Sequence, residues 1–379
     1  MKKILFILFY PFTPIMRLVR IKMEFLRTYK LKLLIAGVLR IIRMFNGSAQ
    51  RVRFPDTFYQ PVSPVGNKKI GFIDHSYHYK TASPTFFVNL LRQLGSVKVM
   101  WDSQWNGGKF PFIRTINKEN FDILILWQIM IYHNPEKLKK LNCKNILIVP
   151  MYDDIHADPD KLFLRYRDFR FISFYNELHQ RFIHLGIQSK QVQFYIDPGS
   201  LPYQLDPFTE LRGFFWQRTN DITWDHIRQL IEGSDFTSFH LHLALDPIWY
   251  REVLPTEEEM LKYHIIITRW FDNREDYLKV LSRANVFFTP RLYEGIGMPV
   301  IEAMTMGKLV VAPDHPTMNE YITHGVNGLL YAMQDLKPLN FSSIESMAGQ
   351  ARLNVLSGFF NWEKSVRELT DFINLPIQA

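Results

Sequence analysis

Two glutamates, Glu294 and Glu302, stand eight positions apart in the segment EGIGMPVIEAM, and two glycines follow the first of them closely. Gly295 and Gly297 allow the backbone to turn tightly and to approach a ligand, and the helix expected after them presents unpaired N–H groups to an anion. A carboxylate in the first turns of such a helix accepts two hydrogen bonds from a vicinal diol such as a ribose. The same residues also fit an ordinary helix start with a surface glutamate.

The elements around this turn predict where the two acids lie. The apolar run NVFFTP at 285–290 precedes the turn and predicts a buried strand. Both acids then lie at the carboxyl end of a strand, where open α/β sheets bind their ligands. Strand and helix patterns alternate along most of the chain, as parallel sheets require, and a stretch with three prolines at 197–208 separates two such series. A length of 379 residues agrees with two α/β domains.

Residues 289–331 resemble the donor-site signature of retaining glycosyltransferases of family 4. These proteins have the GT-B architecture, an α/β fold in which two Rossmann-like domains with parallel sheets face each other across a cleft. The resemblance lies in the E-x7-E spacing of the two glutamates, in Gly307 followed by the strand LVVAP, in Glu320, and in NGLLY at 327–331. It extends over about residues 67–375, where the first half matches mainly in architecture.

The resemblance implies a division of the chain into four parts. They are a basic amphipathic extension at 1–66, an acceptor domain at 67–208, a nucleotide-sugar donor domain at 209–360, and a C-terminal helix at 361–379 that crosses back to the first domain.

The resemblance also assigns the donor to particular residues. These are Glu302 for the ribose, Glu294 with Gly295, Ile296, Gly297 and Met298 for the sugar hydroxyls, and the backbone amides of Thr317, Met318 and Asn319 for the phosphates. Arg218, at the end of the second domain's first strand, matches the family arginine that binds the pyrophosphate. Thr223 stands where the family usually has a lysine, so Arg269 and Arg291 are further candidates for the phosphate charge.

The acceptor side departs further from the family. A histidine commonly follows the strand written here as NILIVP, but this chain has Asp153 and Asp154 there. Either carboxylate is expected to contact the sugar or to take the proton of the acceptor hydroxyl as a general base. The loop at 75–86 replaces a glycine-rich acceptor loop, and His75 or His78 is expected to contact the acceptor or a phosphate.

Neither a metal nor a cofactor is expected, since the nucleotide sugar is a substrate. Asp158-Pro159-Asp160 spells the DxD sequence by which another glycosyltransferase fold holds a metal, but a proline flanked by aspartates favours a helix start. The single cysteine, Cys143, excludes an internal disulfide framework and fits a reducing compartment.

The positive charge of the chain is concentrated at its beginning. Residues 1–53 contain 12 Lys or Arg and one acid, so they contribute +11 to a total of +8, and the remainder is near −3. Apolar residues at 31–45 recur at helical spacing, but no run approaches the roughly 20 residues that span a bilayer. We expect residues 1–53 to bind an anionic membrane surface, which makes the protein cytoplasmic and peripheral to the inner face of a membrane. A cleaved signal peptide or a helix packed on the first domain are the alternatives.

No nucleic-acid-binding motif accompanies this charge. The resemblance implies an enzyme that moves a sugar from a nucleotide sugar to a hydroxyl of a glycan or lipid-linked glycan, with retention of anomeric configuration. Sugar-nucleotide epimerases share the fold and remain an alternative. A non-catalytic relative, acting as a scaffold or partner subunit, is a second alternative because the family lysine and histidine are missing.

Overall fold

The computed structural model describes residues 64–104, 108–128, 135–203, 208–245, 250–271 and 273–375. The basic segment 1–53 lies outside these ranges. In the described ranges, no helix combines the length and the apolar character needed to cross a bilayer.

The described strands form two six-stranded sheets, and every pairing within them is parallel. The strands are β1 Lys68–His75, β2 Gly95–Asp102, β3 Ile123–Trp127, β4 Asn145–Val149, β5 Arg170–Ser173, β6 Ser189–Gln191, β7 Leu211–Gln217, β8 Phe236–Leu243, β9 Ile265–Thr268, β10 Val286–Phe288, β11 Leu309–Pro313 and β12 Leu329–Tyr331. The first sheet has the order β2-β1-β3-β4-β5-β6 and the second the order β12-β11-β10-β7-β8-β9.

Helices connect the strands of each sheet, because parallel strands need crossover connections. The α-helices are α1 His78–Thr81, α2 Thr85–Leu94, α3 Ile113–Lys118, α4 Pro135–Leu138, α5 Tyr152–Ile155, α6 Asp160–Phe163, α7 Asn176–His184, α8 Trp224–Leu230, α9 Glu257–Lys262, α10 Arg274–Ser282, α11 Met298–Thr305 and α12 Ile344–Asn374. Short 3₁₀ turns occur at Leu164–Tyr166, Pro198–Ser200 and Met318–Glu320.

Three of the central strands, β3, β10 and β11, are apolar along their whole length because both faces of each sheet are covered. Every residue of β3, β10 and β11 is buried. In a parallel sheet the carboxyl ends of all strands lie at one edge, so the loops after the strands of each domain meet there. The expected α/β fold of two parallel-sheet domains is therefore confirmed.

Helix α12 joins the two domains. Ile344 begins it beside the second sheet, and its Trp362 ring packs against Phe86 and Phe194 of the first domain, with ring centres 5.9 and 5.2 Å away. Arg170 donates hydrogen bonds to the carbonyls of Phe372 and Ile373, where a cation stabilises the negative end of a helix. Of the crossing helix expected at 361–379, residues 361–374 form the second half of one continuous helix, and the expected boundary after residue 360 falls inside it.

Candidate functional site

The turn before α11 depends on a glycine. Gly297 is the N-cap of α11 with φ of 72°, a left-handed conformation that costs a residue with a Cβ about 1–2 kcal/mol. Thr317 fixes the same turn from the neighbouring loop, because its hydroxyl donates a 2.7 Å hydrogen bond to the carbonyl of Glu294. The turn and the start of α11 are therefore held in place without a ligand.

A buried ion-pair cluster connects the two domains at this turn. Arg291, before α11, donates a 2.8 Å hydrogen bond to Asp153 Oδ2 in α5 of the first domain. The same guanidinium nitrogen lies 3.7 Å from Glu294 Oε2. Both carboxylate side chains are less than a tenth exposed. The structure thus brings Asp153 and Glu294 to one arginine, although 141 residues separate them in the sequence.

The charges of this cluster depend on one another. Burial raises the pKa of Glu294 above its ordinary value, although the charges of Arg291 and Arg218 oppose the shift. Burial lowers the pKa of Arg291, but Asp153 and Glu294 outweigh it and leave that pKa above its usual value. Arg291 therefore stays positive and holds a carboxylate on each side of the cleft.

Two oxygens of the cluster lack a hydrogen-bond partner. They are Glu294 Oε1 and Asp153 Oδ1, both buried and without a donor among the described residues. A Cβ built on Gly295 would lie 3.4 Å from Asp153 Oδ1, which is van der Waals contact with that oxygen. Buried acceptors without donors are costly, and hydroxyl groups of a sugar would satisfy them.

Glu302 lies in the second turn of α11 and is buried. Arg274, the first residue of α10, donates a hydrogen bond to Glu302 Oε1. Burial raises the pKa of Glu302, and the charge of Arg274 only partly offsets this. The buried hydroxyl of Tyr277, one turn further along α10, has no hydrogen-bond partner in the described part of the chain. Burial raises the pKa of Tyr277 well above its ordinary value, and the negative charges of Glu302 and Glu294 add to this shift.

The expected phosphate cations occupy different surroundings. Arg218 follows β7 directly, its guanidinium lies over the Trp216 ring at 5.3 Å, and its charge acts on Glu294. Arg269 instead forms a bidentate pair with Glu252 at 3.0 and 2.8 Å on the surface. Of the additional cations, Arg291 is the one that the structure places beside Glu294.

Thr223, at the position of the family lysine, is the N-cap of α8. Its side chain and that of His226 cap each other's backbone N–H groups at the helix start. This residue serves the local helix and supplies no positive charge, so the missing lysine has no substitute at its own position.

The loop at 317–319 lies beside the turn before α11. Thr317 and Met318 are fully buried, while the exposed Asn319 bonds Asp314 through its side chain at 3.0 Å. The backbone N–H of Asn319 already donates to the His315 carbonyl at 3.1 Å. The expected phosphate contact through the Asn319 amide therefore competes with an existing hydrogen bond.

The remaining acceptor-side candidates are Asp154 and Asp160, both on short helices of the first domain. Asp154 follows Asp153 in α5 and is half-buried, but the ion pair with Arg291 is made by Asp153. Asp160, of the DxD sequence, opens α6 and pairs with Arg181 at 2.7 Å. No group of three or more metal-binding side chains occurs in the part of the chain that the structure describes.

A carboxylate–histidine pair lies at the end of β1. His78 Nδ1 is 2.6 Å from Asp74 Oδ1, and the Asp74 side chain is fully buried. His75 lies beside them, with its ring centre 5.7 Å from that of His78. Burial, and to a smaller extent His78, lowers the pKa of His75 to about 3, so His75 is neutral at physiological pH. The two histidines named from the sequence thus differ in surroundings, since His78 is paired with Asp74 and His75 is held neutral by burial.

Glu320 also crosses between the domains. Its carboxylate accepts hydrogen bonds from the backbone N–H groups of Asn176 and Glu177, at the start of α7. The neighbouring Tyr321 hydroxyl donates to the Phe194 carbonyl at 2.9 Å. This glutamate, which the sequence placed only within the resemblance, therefore caps a helix of the opposite domain.

The sequence did not identify three of these partners: Arg274, Tyr277 and Asp74. Arg274 and Tyr277 stand at helical spacing on α10, but nothing in that pattern indicates a contact with Glu302. Asp74 ends an apolar strand four residues before His78, and this carboxylate followed by histidine is the signal that was available.

Two parallel six-stranded sheets whose strand-end loops meet at a cleft are the GT-B architecture. Solved structures agree: the chain matches the Anabaena HepE protein in complex with UDP and glucose with a TM-score of 0.53 and 13% identity, over 80% of this chain and 100% of that one. It matches sucrose-phosphate synthase from Thermosynechococcus elongatus with a TM-score of 0.56 and 12% identity, over 81% and 98%. At such identities the likeness concerns the fold.

The sequence match is confined to the second domain. Residues 250–343 match the family model of glycosyl transferases group 1. Sucrose synthase from Melioribacter roseus is 34% identical over 92 residues, which is 24% of this chain. The chain spans about a tenth of the length of the curated relatives it matches. The expected resemblance to group 1 glycosyltransferases is thus confirmed, and the matched segment contains both glutamates, Arg291, Arg274 and Thr317.

Proposed function

We propose that this protein is a glycosyltransferase that moves a sugar from a nucleotide sugar to a hydroxyl of a glycan or lipid-linked glycan. The observation that carries the proposal is the pair of buried glutamates around the start of α11, one of which shares Arg291 with Asp153 of the opposite domain. The reaction proceeds with retention of anomeric configuration and without a metal, as the resemblance implies.

In the proposed complex the donor lies along the start of α11. Glu302 accepts hydrogen bonds from the ribose hydroxyls. These bonds replace the hydrogen bond that Glu302 accepts from Arg274 in the structure. Glu294 and the backbone from Gly295 to Met298 bind the sugar, where the unpartnered Glu294 Oε1 accepts a hydroxyl. HepE was solved with UDP and glucose, which supports a uridine diphosphate sugar as the first donor to test.

The chemistry rests on stabilising the leaving group. When the bond between the anomeric carbon and the diphosphate breaks, negative charge develops on the diphosphate oxygen. Arg218 and the N–H groups at the starts of α11 and of the 317–319 loop stabilise that charge more in the transition state than in the ground state. Glu294 orients the sugar and forms no covalent bond to it.

The basic segment 1–53 is proposed to bring the enzyme to an anionic membrane on its cytoplasmic face, where a lipid-linked acceptor is found. The support is its +11 charge together with the amphipathic pattern at 31–45. Sedimentation with phosphatidylglycerol vesicles tests this, and equal binding by a chain that lacks residues 1–53 would refute it.

The function is tested by the release of nucleoside diphosphate from UDP-, GDP-, ADP-, CDP- and dTDP-sugars, with and without a membrane-lipid extract as acceptor. We expect release from one donor, stimulated by the extract, and at least about tenfold weaker donor binding in Glu302→Gln, because a ribose contact is lost.

Glu258→Gln is the matched control, since this exposed glutamate lies on α9 and is not among the residues assigned to the donor. Release without any acceptor, with an altered sugar as product, would favour an epimerase. Donor binding without release from any donor would favour the non-catalytic alternative.

A further inference from the structure

One arginine is shared between the two domains, and its two carboxylates do not hold it equally. Arg291 belongs to the turn at 291–297 before α11, called the donor turn here. Its Nη1 lies 2.8 Å from Asp153 Oδ2 of the first domain and 3.7 Å from Glu294 Oε2 of its own domain. The first distance is a hydrogen bond, whereas the second is too long for one. Asp153 therefore holds the guanidinium more closely than Glu294 does.

This unequal sharing leaves Glu294 without a hydrogen bond from the neighbouring cation. Its Oε1 has no partner in the described part of the chain, and the side chain is only 6% exposed. An arginine–carboxylate hydrogen bond is among the stronger interactions in proteins, and a buried acceptor without one is costly. Such a carboxylate is ready to accept hydroxyl groups of a ligand, which is the part that the proposed function gives to Glu294.

The sharing depends on contact between the two domains. Arg291 and Glu294 stand three residues apart in the donor turn, so they remain neighbours wherever the first domain lies. Asp153 belongs to α5 of the first domain, and this short helix packs on the donor turn. At its end the His156 ring stacks on Tyr293, with ring centres 4.2 Å apart. Asp153 thus reaches Arg291 only while α5 contacts the donor turn.

Without Asp153, the same arginine has a carboxylate within reach in its own turn. The Arg291 side chain is largely buried, and a buried cation that loses its partner is strongly destabilising. A shift of about 1 Å would shorten the present 3.7 Å contact with Glu294 to a charge-assisted hydrogen bond. That bond would occupy the carboxylate that the sugar needs.

We propose that Asp153 is a positioning residue, which draws Arg291 away from Glu294 when the domains meet and so leaves Glu294 available to the hydroxyl groups of the donor sugar; this rests on the proposed function. When α5 leaves the donor turn, Arg291 pairs with Glu294 and blocks the sugar site. Asp153 acts through Arg291, and it neither contacts the sugar nor takes a proton. The sugar site is therefore complete only while the two domains are in contact.

The experiment removes the charge of Asp153 and then removes the arginine, in the full-length protein. In Asp153→Asn, Arg291 should turn to Glu294, so kcat/KM for the donor found in the release assay should fall about 10- to 100-fold, the scale of one hydrogen bond to a charged group. Affinity for UDP, which carries no sugar, should stay unchanged in titration calorimetry. Adding Arg291→Gln removes the cation that covers Glu294, so kcat/KM of the double variant should return to within about threefold of the wild type.

A surface ion pair of the first domain provides the matched control. Asp168 pairs with Lys139 at 2.9 Å, and both side chains are largely exposed. Asp168→Asn, alone or together with Lys139→Gln, should leave kcat/KM unchanged. Melting curves establish that each variant is folded. If Asp153→Asn with Arg291→Gln does not fold, Asp153→Ala with Arg291→Ala takes its place, because this pair also removes both charges together.

The possible failures are distinguishable. No nucleotide release from any donor by the wild-type protein overturns the proposed function and this inference with it. Transfer by the wild type together with normal kcat/KM in Asp153→Asn overturns the inference alone. A loss in Asp153→Asn that Arg291→Gln does not relieve also overturns it, since Asp153 would then act on the substrate directly. Weaker UDP binding in Asp153→Asn does the same, because the residue would then serve the nucleotide.

Discussion

The two sides of the cleft hold their ionisable groups in different ways. On the side of the second domain, called the donor wall here, a backbone turn positions Glu294 and Glu302. On the side of the first domain, the acceptor wall, pairs of side chains position the ionisable groups. Glu294 and Glu302 flank a glycine N-cap at the start of one helix, within a stretch of nine residues. Asp153 follows β4, and the Asp74–His78 pair stands at the carboxyl end of β1. The donor-wall residues therefore come from one contiguous segment of the sequence, whereas the acceptor-wall residues come from separate segments.

This difference explains where the family match lies. A turn that must approach a ligand closely tolerates few residues, so glycines and acids keep fixed spacing, and residues 250–343 match a family model. Side-chain pairs on separate loops can be rebuilt with other residues, so the first domain departs more freely. We therefore expect single-atom changes in donor-wall side chains to lower activity, and we expect acceptor-wall variants to act by removing one member of a side-chain pair.

The largest difference between the walls is expected for Glu294→Gln. The amide keeps the size of the side chain but loses the charge that we propose to orient the sugar, and kcat/KM should fall about 10²–10³-fold, as for other preorganised groups. Steady-state kinetics with the donor identified above measures this. Asp153→Asn is the acceptor-wall comparison, and a larger loss there than in Glu294→Gln would reverse the ranking.

A smaller effect is expected for Gly297→Ala. The left-handed φ of 72° makes the alanine cost about 1–2 kcal/mol of unfolding free energy, and the shifted start of α11 should weaken UDP binding. Urea unfolding and titration calorimetry measure the two effects. Gly349→Ala is the matched control, because this glycine lies in α12 with open space around it and the alanine should stabilise the helix. Equal stability of the two variants would contradict the role of the turn.

The smallest effect concerns pH. Burial holds the pKa of Glu302 above its unfolded value, so the folded protein loses stability as pH rises from about 4 through that raised pKa. Glu302→Gln removes this loss and should melt about one or two degrees higher at pH 7.5, with no difference near pH 3.5. Differential scanning calorimetry at both pH values measures it.

Glu259→Gln provides a control of opposite sign. Its hydrogen bonds to Thr256 and Trp224 outweigh partial burial and lower the pKa of Glu259, so the native protein is stabilised above the unfolded pKa. The variant should melt lower than wild type at neutral pH, and the difference should vanish as pH falls. The same direction of shift in both variants would show that the charge of Glu302 does not decide the result.

Much of the fold could be predicted from the sequence. The apolar runs NVFFTP and LVVAP predict strands buried on both sheet faces, and the structure confirms them as β10 and β11. Element ends were less predictable. Helix α12 begins at Ile344, well before the expected 361. The end of a strand or helix depends on where its contacts with a neighbouring strand or domain end, and the local sequence pattern does not show this.

The sequence by itself determined the two parallel sheets and the glycine turn that holds Glu294 and Glu302, because periodicity and backbone freedom act over a few neighbouring residues. The roles assigned to those residues stay predictions. Tertiary structure alone decided that Arg291 joins Glu294 to Asp153, that Arg274 rather than solvent meets Glu302, and that Arg269 turns to the surface. Charges far apart in the chain meet only after both sheets have formed, and the burial of Glu294 and Glu302 then strengthens the ion pairs that these two acids form.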